Sequence, residues 1–242
     1  MAPLLSLQSV SKRFGAVVVA DTIDLSLNEG EALGILGPNG AGKTSLFNMI
    51  AGVIAPDAGN IFFRGEDITK LGAARRCRIG IGRSFQIPQP FGGLSVFENL
   101  CVTGFFGARS DRKAVENRAV EVLQLTGMLP RANAMASSLT LLERKRLELA
   151  RALAGNPKLL LLDEIAGGLT PHECEDLIAA VKQIRETGVS VIWVEHVVHA
   201  LLAVVDALFV LHQGKKLAEG DPKTVMDSPE VHEIYLGVEA DA

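Results

Sequence analysis

Cysteine is scarce: the chain has three in 242 residues, Cys77, Cys101 and Cys174. Their number is odd, their spacing wide, and none stands at metal-ligand intervals, so they build neither a disulfide framework nor a zinc site. Such thiols suit a reducing compartment, and a cytoplasmic location is expected. The amino terminus has no basic stretch followed by an apolar core, which argues against a secretory signal. A long uninterrupted apolar run is also missing. The most apolar region, 189–211, is broken by Glu195, His196, His199 and Asp206, so no membrane span is expected. Basic residues are not in excess. A formal net charge of -4 lacks the electrostatic footprint of a nucleic-acid binder. The one basic cluster, Arg75-Arg76-Cys77-Arg78, reads as solvated surface. Repeats, low-complexity runs and long linkers are absent as well.

What is present is apolar mass. Hydrophobic residues make up 48% of the chain, ample for a full core. The length allows one or two domains. A mean hydropathy of +0.26 is high for a soluble chain and would suit one that docks on a membrane protein.

The strongest motif is Gly37-Pro38-Asn39-Gly40-Ala41-Gly42-Lys43-Thr44, followed by Ser45, which fits GxxxxGK[ST]. The preceding Glu31–Leu36 reads as a short apolar strand and the following Ser45–Ala51 as a helix start. Strand, glycine loop and helix form the context that turns this pattern into a phosphate site. The glycines let successive backbone N–H groups face an anion. The helix beginning at Lys43 adds its positive dipole end. Lys43 is then placed to reach β- and γ-phosphates, and the Thr44 hydroxyl to hold Mg²⁺.

Around this motif the chain alternates strands and helices. Leu5–Val10 and Ile23–Leu27 read as strands flanking a turn at Phe14-Gly15, followed by strands at Asn60–Phe63 and Ile79–Phe85. From Leu94 to Ala154 the pattern becomes all-helical. Ser95 with Glu98 is a capping pattern, Val115, Ala119, Val122 and Leu123 keep a helical period, and Thr140 with Glu143 opens a third helix that Gly155-Asn156-Pro157 closes. Alternation then resumes: strand Leu159–Leu162, helix Pro171–Glu186, strand Val189–Val194, helix Val197–Val205 and strand Ala207–Leu211, with two short helical pieces near Thr224 and Val231. This order predicts an α/β fold with a mainly parallel sheet, an N-terminal antiparallel region and an inserted helical subdomain. Residues 1–87 and 156–242 form the expected core and 88–155 the expected helical subdomain, within one domain.

Leu159-Leu160-Leu161-Leu162-Asp163-Glu164 is an apolar run ending in two carboxylates. A buried parallel strand needs such a run, and its carboxyl end is where such sheets place ligands. Asp163 there would bind Mg²⁺ through water, and Glu164 would polarise an attacking water.

Taken together, these residues resemble the ATP-binding subunit of an ABC transporter over essentially the whole chain. Several positions match the family's marks in order. Phe14 occupies the adenine-stacking position, Gly37–Thr44 the Walker A loop and Gln86, in Arg83-Ser84-Phe85-Gln86, the Q-loop. Asp163 and Glu164 form the Walker B pair, and His196, after Val191–Glu195, is the switch histidine. The resemblance implies that Gln86 adds an oxygen ligand to Mg²⁺ and that His196 donates a hydrogen bond to the γ-phosphate. It implies a second ABC subunit, as a homo- or heterodimer, transmembrane permease subunits and a solute-binding protein in the complete system. It also implies peripheral attachment to the cytoplasmic face of the membrane. The permease would dock around Ile87 to Phe97, where Phe91 and Phe97 either meet a coupling helix or belong to the core.

The chain departs from the family where LSGGQ is usual. It has Leu139-Thr140-Leu141-Leu142-Glu143 instead. Either Thr140 caps its helix and also donates its hydroxyl to a partner's γ-phosphate, or Thr140 and Glu143 form only a capping box and the contact in trans is lost. Ala166-Gly167-Gly168-Leu169-Thr170-Pro171, the Gln86-Ile87-Pro88 segment and the tail from Ala218 to Gly237 resemble the subfamily that imports branched-chain and other hydrophobic amino acids. The competing classes are a non-hydrolysing partner subunit, a soluble ABC ATPase acting on DNA or ribosomes, and a P-loop small-molecule kinase.

Overall fold

The computed structural model describes residues 2–108 and 111–239. By internal contacts the chain divides into two compact units, one running to Ala73 and resuming at Ile192, the other spanning Ala74–Val191.

The first unit opens with strands β1 (Leu5–Phe14) and β2 (Val17–Leu27). Both are longer than their apolar alternation suggested. Bulges explain the difference: the β1–β2 register shifts between Leu7 and Val10, and again on either side of Lys12. A bulge scrambles the period-2 pattern while the ladder continues. Strand β3 (Ala32–Leu36) is wholly buried and leads into helix α1 (Lys43–Ile50). Strands β4 (Ala58–Phe63) and β5 (Glu66–Asp67) complete an antiparallel sheet in the order β2-β1-β4-β5. Leu5, Leu7, Leu25, Leu27, Ile61 and Phe63 supply its apolar face and are buried.

The second unit holds α2 (Ala73–Arg78, its first residue in the other unit), β6 (Ile81–Arg83), α3 (Val96–Thr103), α4 (Arg112–Leu125), α5 (Leu141–Ala154), β7 (Leu159–Asp163) and α6 (Pro171–Glu186). The basic segment 75–78 is not all solvated surface, contrary to the expectation. The segment is helical, Arg75 and Arg78 face outward, but Arg76 is turned inward and only 1% exposed. β6 is shorter than the strand expected at Ile79–Phe85 and pairs in parallel with β7, from Ile81 opposite Leu159 to Arg83 opposite Leu161. A π-helical turn, Gly104–Ala108, extends α3. Gly104 is needed there because a Cβ would meet Val115 of α4 at 2.7 Å. The periodic residues of α4, Val115, Ala119, Val122 and Leu123, are all buried as expected. The capping boxes at Ser95/Glu98 and Thr140/Glu143 are both formed, and Thr170/Glu173 adds a third at α6.

Strand β8 (Ser190–Val194) crosses into the first unit, which then adds α7 (Val198–Leu202), β9 (Ala207–His212), β10 (Lys215–Gly220), α8 (Pro222–Met226) and α9 (Pro229–Glu239). β3 and β9 pair in parallel, from Leu33 opposite Ala207 to Leu36 opposite Val210. Asp206 starts that pairing: its N–H donates to the Ala32 carbonyl at 2.8 Å and its carboxylate accepts the Ala32 N–H at 2.8 Å. β10 was not expected from its charged sequence. It returns antiparallel on β9 through a two-residue turn in which Gln213 and Gly214 both have positive φ, the geometry that matches strand twist. The fold is therefore α/β, with an antiparallel N-terminal sheet and mainly parallel pairing elsewhere. No helix among the described residues is long and apolar enough to cross a membrane.

Candidate functional site

In the first unit the loop 37–44 lies between β3 and α1, as the motif predicts. Its glycines answer a steric demand that the sequence did not reveal. A Cβ on Gly37 would come 2.2 Å from the Leu211 carbonyl oxygen, and one on Gly42 would come 2.1 Å from the Val19 carbonyl oxygen. Gly42 also has φ of 108°, open to glycine and costly to other residues. The loop is further tied down by Gly214, whose N–H donates to the Ala41 carbonyl at 2.9 Å. Backbones of β2 and β9 thus press against the loop and fix its curve.

Helix α1 begins at Lys43 with Gly42 as its cap, without a side-chain capping bond and without an acidic residue in its first turn. Helices α3, α5 and α6 each receive a Ser or Thr cap and a glutamate. The amino end of α1 therefore keeps its dipole and N–H groups for an external anion. Lys43 is buried, and its Nζ donates to the carbonyls of Gly37 at 2.6 Å and Pro38 at 3.0 Å, holding a cation within the loop. Thr44 is exposed and Ser45 half-buried. Asn39 and Gly40 are exposed, Pro38 is half-buried and Ala41 is buried.

Phe14 lies at the end of β1 and is 51% exposed, so it is not a core residue. His196 follows β8 and is exposed; its backbone N–H donates to Glu195 Oε1 at 3.2 Å. Glu195 is itself buried and accepts the indole N–H of the buried Trp193 at 3.2 Å.

The second unit brings Gln86, Asp163 and Glu164 together. Ser84 joins the ends of β6 and β7: its N–H donates to the Leu161 carbonyl at 2.9 Å, and its Oγ accepts the Asp163 N–H at 3.3 Å. Asp163 is buried and paired with Arg83, Nη2 to Oδ2 at 2.9 Å. Gln86 Nε2 donates to Glu164 Oε2. With its amide nitrogen so engaged, the oxygen of Gln86 is the atom suited to a hard cation. The hydroxyl of Thr44, the carboxylate of Asp163 and the amide oxygen of Gln86 are all oxygen donors, the chemistry Mg²⁺ takes.

Glu164 has φ of 47°, left-handed and strained for a residue with a Cβ. The loop that follows it is held by a residue that motif reading passed over. Lys145, on α5, is 5% exposed, and its Nζ donates to the carbonyls of Gly167 at 2.6 Å and Ile165 at 3.0 Å, with Glu164 at 3.5 Å. The signal was available in the sequence: Lys145 lies four residues before Leu149, on the apolar stripe of α5, where a charge needs a buried partner. Arg83 stands within the Q-loop motif, but its pairing with Asp163 is not written in that motif. Thr140 forms its capping box, accepting the Glu143 N–H at 3.3 Å while its own N–H donates to Glu143 Oε2 at 2.9 Å. Leu141, at the first helical position, is exposed.

Comparison with known proteins supplies the family. Residues 20–167 match the family model described as ABC transporter, and residues 215–241 match that described as branched-chain amino acid ATP-binding cassette transporter. The chain is 34% identical to the high-affinity branched-chain amino acid transport ATP-binding protein LivG of Escherichia coli, over 97% of this chain and 98% of the relative. It is 37% identical to the lipopolysaccharide export system ATP-binding protein LptB of Escherichia coli, over 96% and 97%. Among solved structures, the ADP conformation of an ATP-binding cassette of an ABC transporter superposes with a TM-score of 0.89 at 30% identity, covering 98% of this chain and all of that one. A dimeric post-hydrolysis cassette bound to ADP and Pi gives 0.80 at 25% identity, covering 90% and 98%. With the phosphate loop set between β3 and α1 and the acidic pair at the end of β7, the chain belongs to the ABC transporter family as an ATP-binding subunit, the ATPase component that is coupled to transport.

Proposed function

We propose that this ATPase powers the import of branched-chain or other hydrophobic amino acids. The observation that carries the reading is the match of residues 215–241 to the branched-chain cassette model, a segment separate from the general ATPase motifs. The 34% identity to LivG over nearly the full length supports it. Similar identity to LptB favours a second reading, lipid export, and the two make different predictions.

In the proposed cycle Mg²⁺-ATP is the substrate. The loop Gly37–Ser45 and the α1 dipole hold its phosphates, with Lys43 offsetting charge on the transferred phosphoryl group. Phe14 stacks on adenine. Thr44, Asp163 and Gln86 are assigned to Mg²⁺. Glu164 orients the attacking water, and His196 donates to the γ-phosphate. Residues 1–87 with 156–242 act as the ATPase core and 88–155 as the helical subdomain. Two ATP-binding subunits would dimerise, as the cassette bound to ADP and Pi does, with Thr140 presented to the partner's nucleotide. The permease would dock on exposed apolar side chains of the second unit, among them Phe85, Ile87, Phe91, Phe105 and Phe106. Phe91 is set there by Asn99, which accepts its N–H at 2.8 Å and donates to its carbonyl at 3.1 Å. Such a complex lies at the cytoplasmic face of the membrane and works with a solute-binding protein.

The test is to purify the native complex from membranes, identify its subunits and reconstitute it in proteoliposomes. ATP-dependent uptake of leucine, with ATPase activity stimulated by a leucine-loaded binding protein, is the expected result. Stimulation by lipopolysaccharide and none by amino acids would overturn the import reading and support the second.

A further inference from the structure

The surroundings of Phe14 hold an arrangement that phosphate binding does not use. Lys12 stands two residues before Phe14 on β1 and so shares its face of the strand. Its Nζ lies 5.4 Å from the centroid of the Phe14 ring. The same Nζ is 2.6 Å from Asp57 Oδ1, and the Lys12 side chain is only 16% exposed. Asp57 is anchored twice more: its Oδ2 accepts the Arg13 N–H at 2.8 Å, and its own N–H donates to the Ser11 carbonyl at 2.8 Å. The Lys12 ammonium holds the Asp57 carboxyl below the usual carboxylate range.

The end of the β1–β4 ladder makes this possible. Its last pair is Ser11 opposite Ala58, so the Arg13 N–H lies beyond the start of β4. There it is taken by the Asp57 carboxylate, and that carboxylate in turn fixes the lysine. A cation over an aromatic face is attracted by the ring quadrupole. It also draws π density toward itself, so the opposite face repels the electron cloud of a stacked ring less. Phe14 keeps enough open surface for a planar ligand to lie on it.

We infer that Lys12 and Asp57 are positioning residues for the nucleobase: Asp57 fixes the Lys12 ammonium against Phe14, and the ring so backed is the platform on which a purine stacks. This rests on the reading of Phe14 as the adenine-stacking residue. The pair acts through the ring and contributes to affinity for the base, while the phosphate loop contributes the affinity for the phosphates.

The experiment compares ADP with inorganic pyrophosphate by calorimetric titration of the full chain, since pyrophosphate lacks the base. Variants are Lys12→Met, Lys12→Arg, Asp57→Asn and Phe14→Ala. Lys12→Met should weaken ADP binding about three- to tenfold, the range of an ordered cation–π contact, and leave pyrophosphate binding unchanged. Asp57→Asn should give a smaller loss in the same direction, and Lys12→Arg should restore the parental affinity. If Phe14→Ala weakens ADP binding while Lys12→Met does not, the stacking reading survives and the positioning role is overturned. If Lys12→Met weakens ADP and pyrophosphate equally, Lys12 acts on the phosphates and the inference fails. If Phe14→Ala leaves ADP binding intact, the stacking reading falls and takes this inference with it.

Discussion

Replacing Lys145 with methionine tests how the loop after β7 is held. The ammonium makes two close bonds, to the carbonyls of Gly167 at 2.6 Å and Ile165 at 3.0 Å, and a long one to Glu164 at 3.5 Å. A hydrogen bond to a charged group contributes about 1.5–3 kcal/mol, so the two close bonds together account for roughly 3–6 kcal/mol. Methionine fills a similar volume and removes an ammonium whose burial itself costs several kcal/mol, which offsets part of the loss. The expected net destabilisation is about 2–4 kcal/mol, a fall of roughly 5–15 °C in melting temperature for a chain of this size. Catalysis should suffer separately. The left-handed backbone of Glu164 stores about 1–3 kcal/mol that persists only while its surroundings impose it. Once the loop is released, the glutamate relaxes and kcat should drop about tenfold, equivalent to ~1.4 kcal/mol of barrier, while ADP affinity stays near parental. Calorimetric melting and ATPase assays of the reconstituted complex measure both effects. A Lys145→Met variant that melts within about 1 °C of the parent and hydrolyses ATP at the parental rate would refute the clamp, because a lost bond of this strength cannot be silent.

Three further outcomes are expected. Gly42→Ala forces a Cβ to within 2.1 Å of the Val19 carbonyl oxygen at a φ of 108°, and should weaken ADP binding at least about tenfold; undiminished affinity in a titration would show that the loop has another shape. Glu164→Gln should keep nucleotide affinity, accumulate an ATP-bound dimer on size-exclusion chromatography, and lose about 10²–10⁴-fold in hydrolysis, as removal of a general base does; parental turnover would take Glu164 out of that role. Backbone N–H groups of Ser95 and Thr170 hold the capping carboxyls of Glu98 and Glu173 below the usual carboxylate range. A folded-state pKa below the unfolded one stabilises above the unfolded value, about 4.3, and that stabilisation is lost as pH falls through the folded value. Glu148 runs the other way: burial raises its pKa, so its contribution is greatest at low pH and fades as pH rises. The double variant Glu98→Gln/Glu173→Gln should therefore lose less melting temperature between pH 5 and pH 3 than the parent; an identical slope would show that the caps are not linked to protonation.

The legible features were local in origin. The phosphate loop is a run of adjacent residues whose strand and helix flanks are carried in the same short stretch. The capping boxes at Ser95 and Thr140 are i,i+3 relations, and the buried face of α4 repeats at the helical period, so each formed where expected. Charged residues misled where the outcome depended on neighbours far away in sequence. Arg76 resembles Arg75 and Arg78 in type, yet it alone is turned inward. The charged strand β10 was hidden because β9 supplies the apolar partner and the turn at Gln213-Gly214 supplies the register.

Sequence by itself determined the α/β order, the glycine loop ahead of α1 and the acidic pair ending β7, because contiguous residues carry each of them. Tertiary structure alone decided why Gly37 and Gly42 must lack a Cβ, what neutralises Asp163, what holds Glu164 in a strained backbone and what fixes Lys12 against Phe14. Those answers depend on carbonyls and charges delivered by distant strands and helices, and such close approaches exist only once the chain has folded.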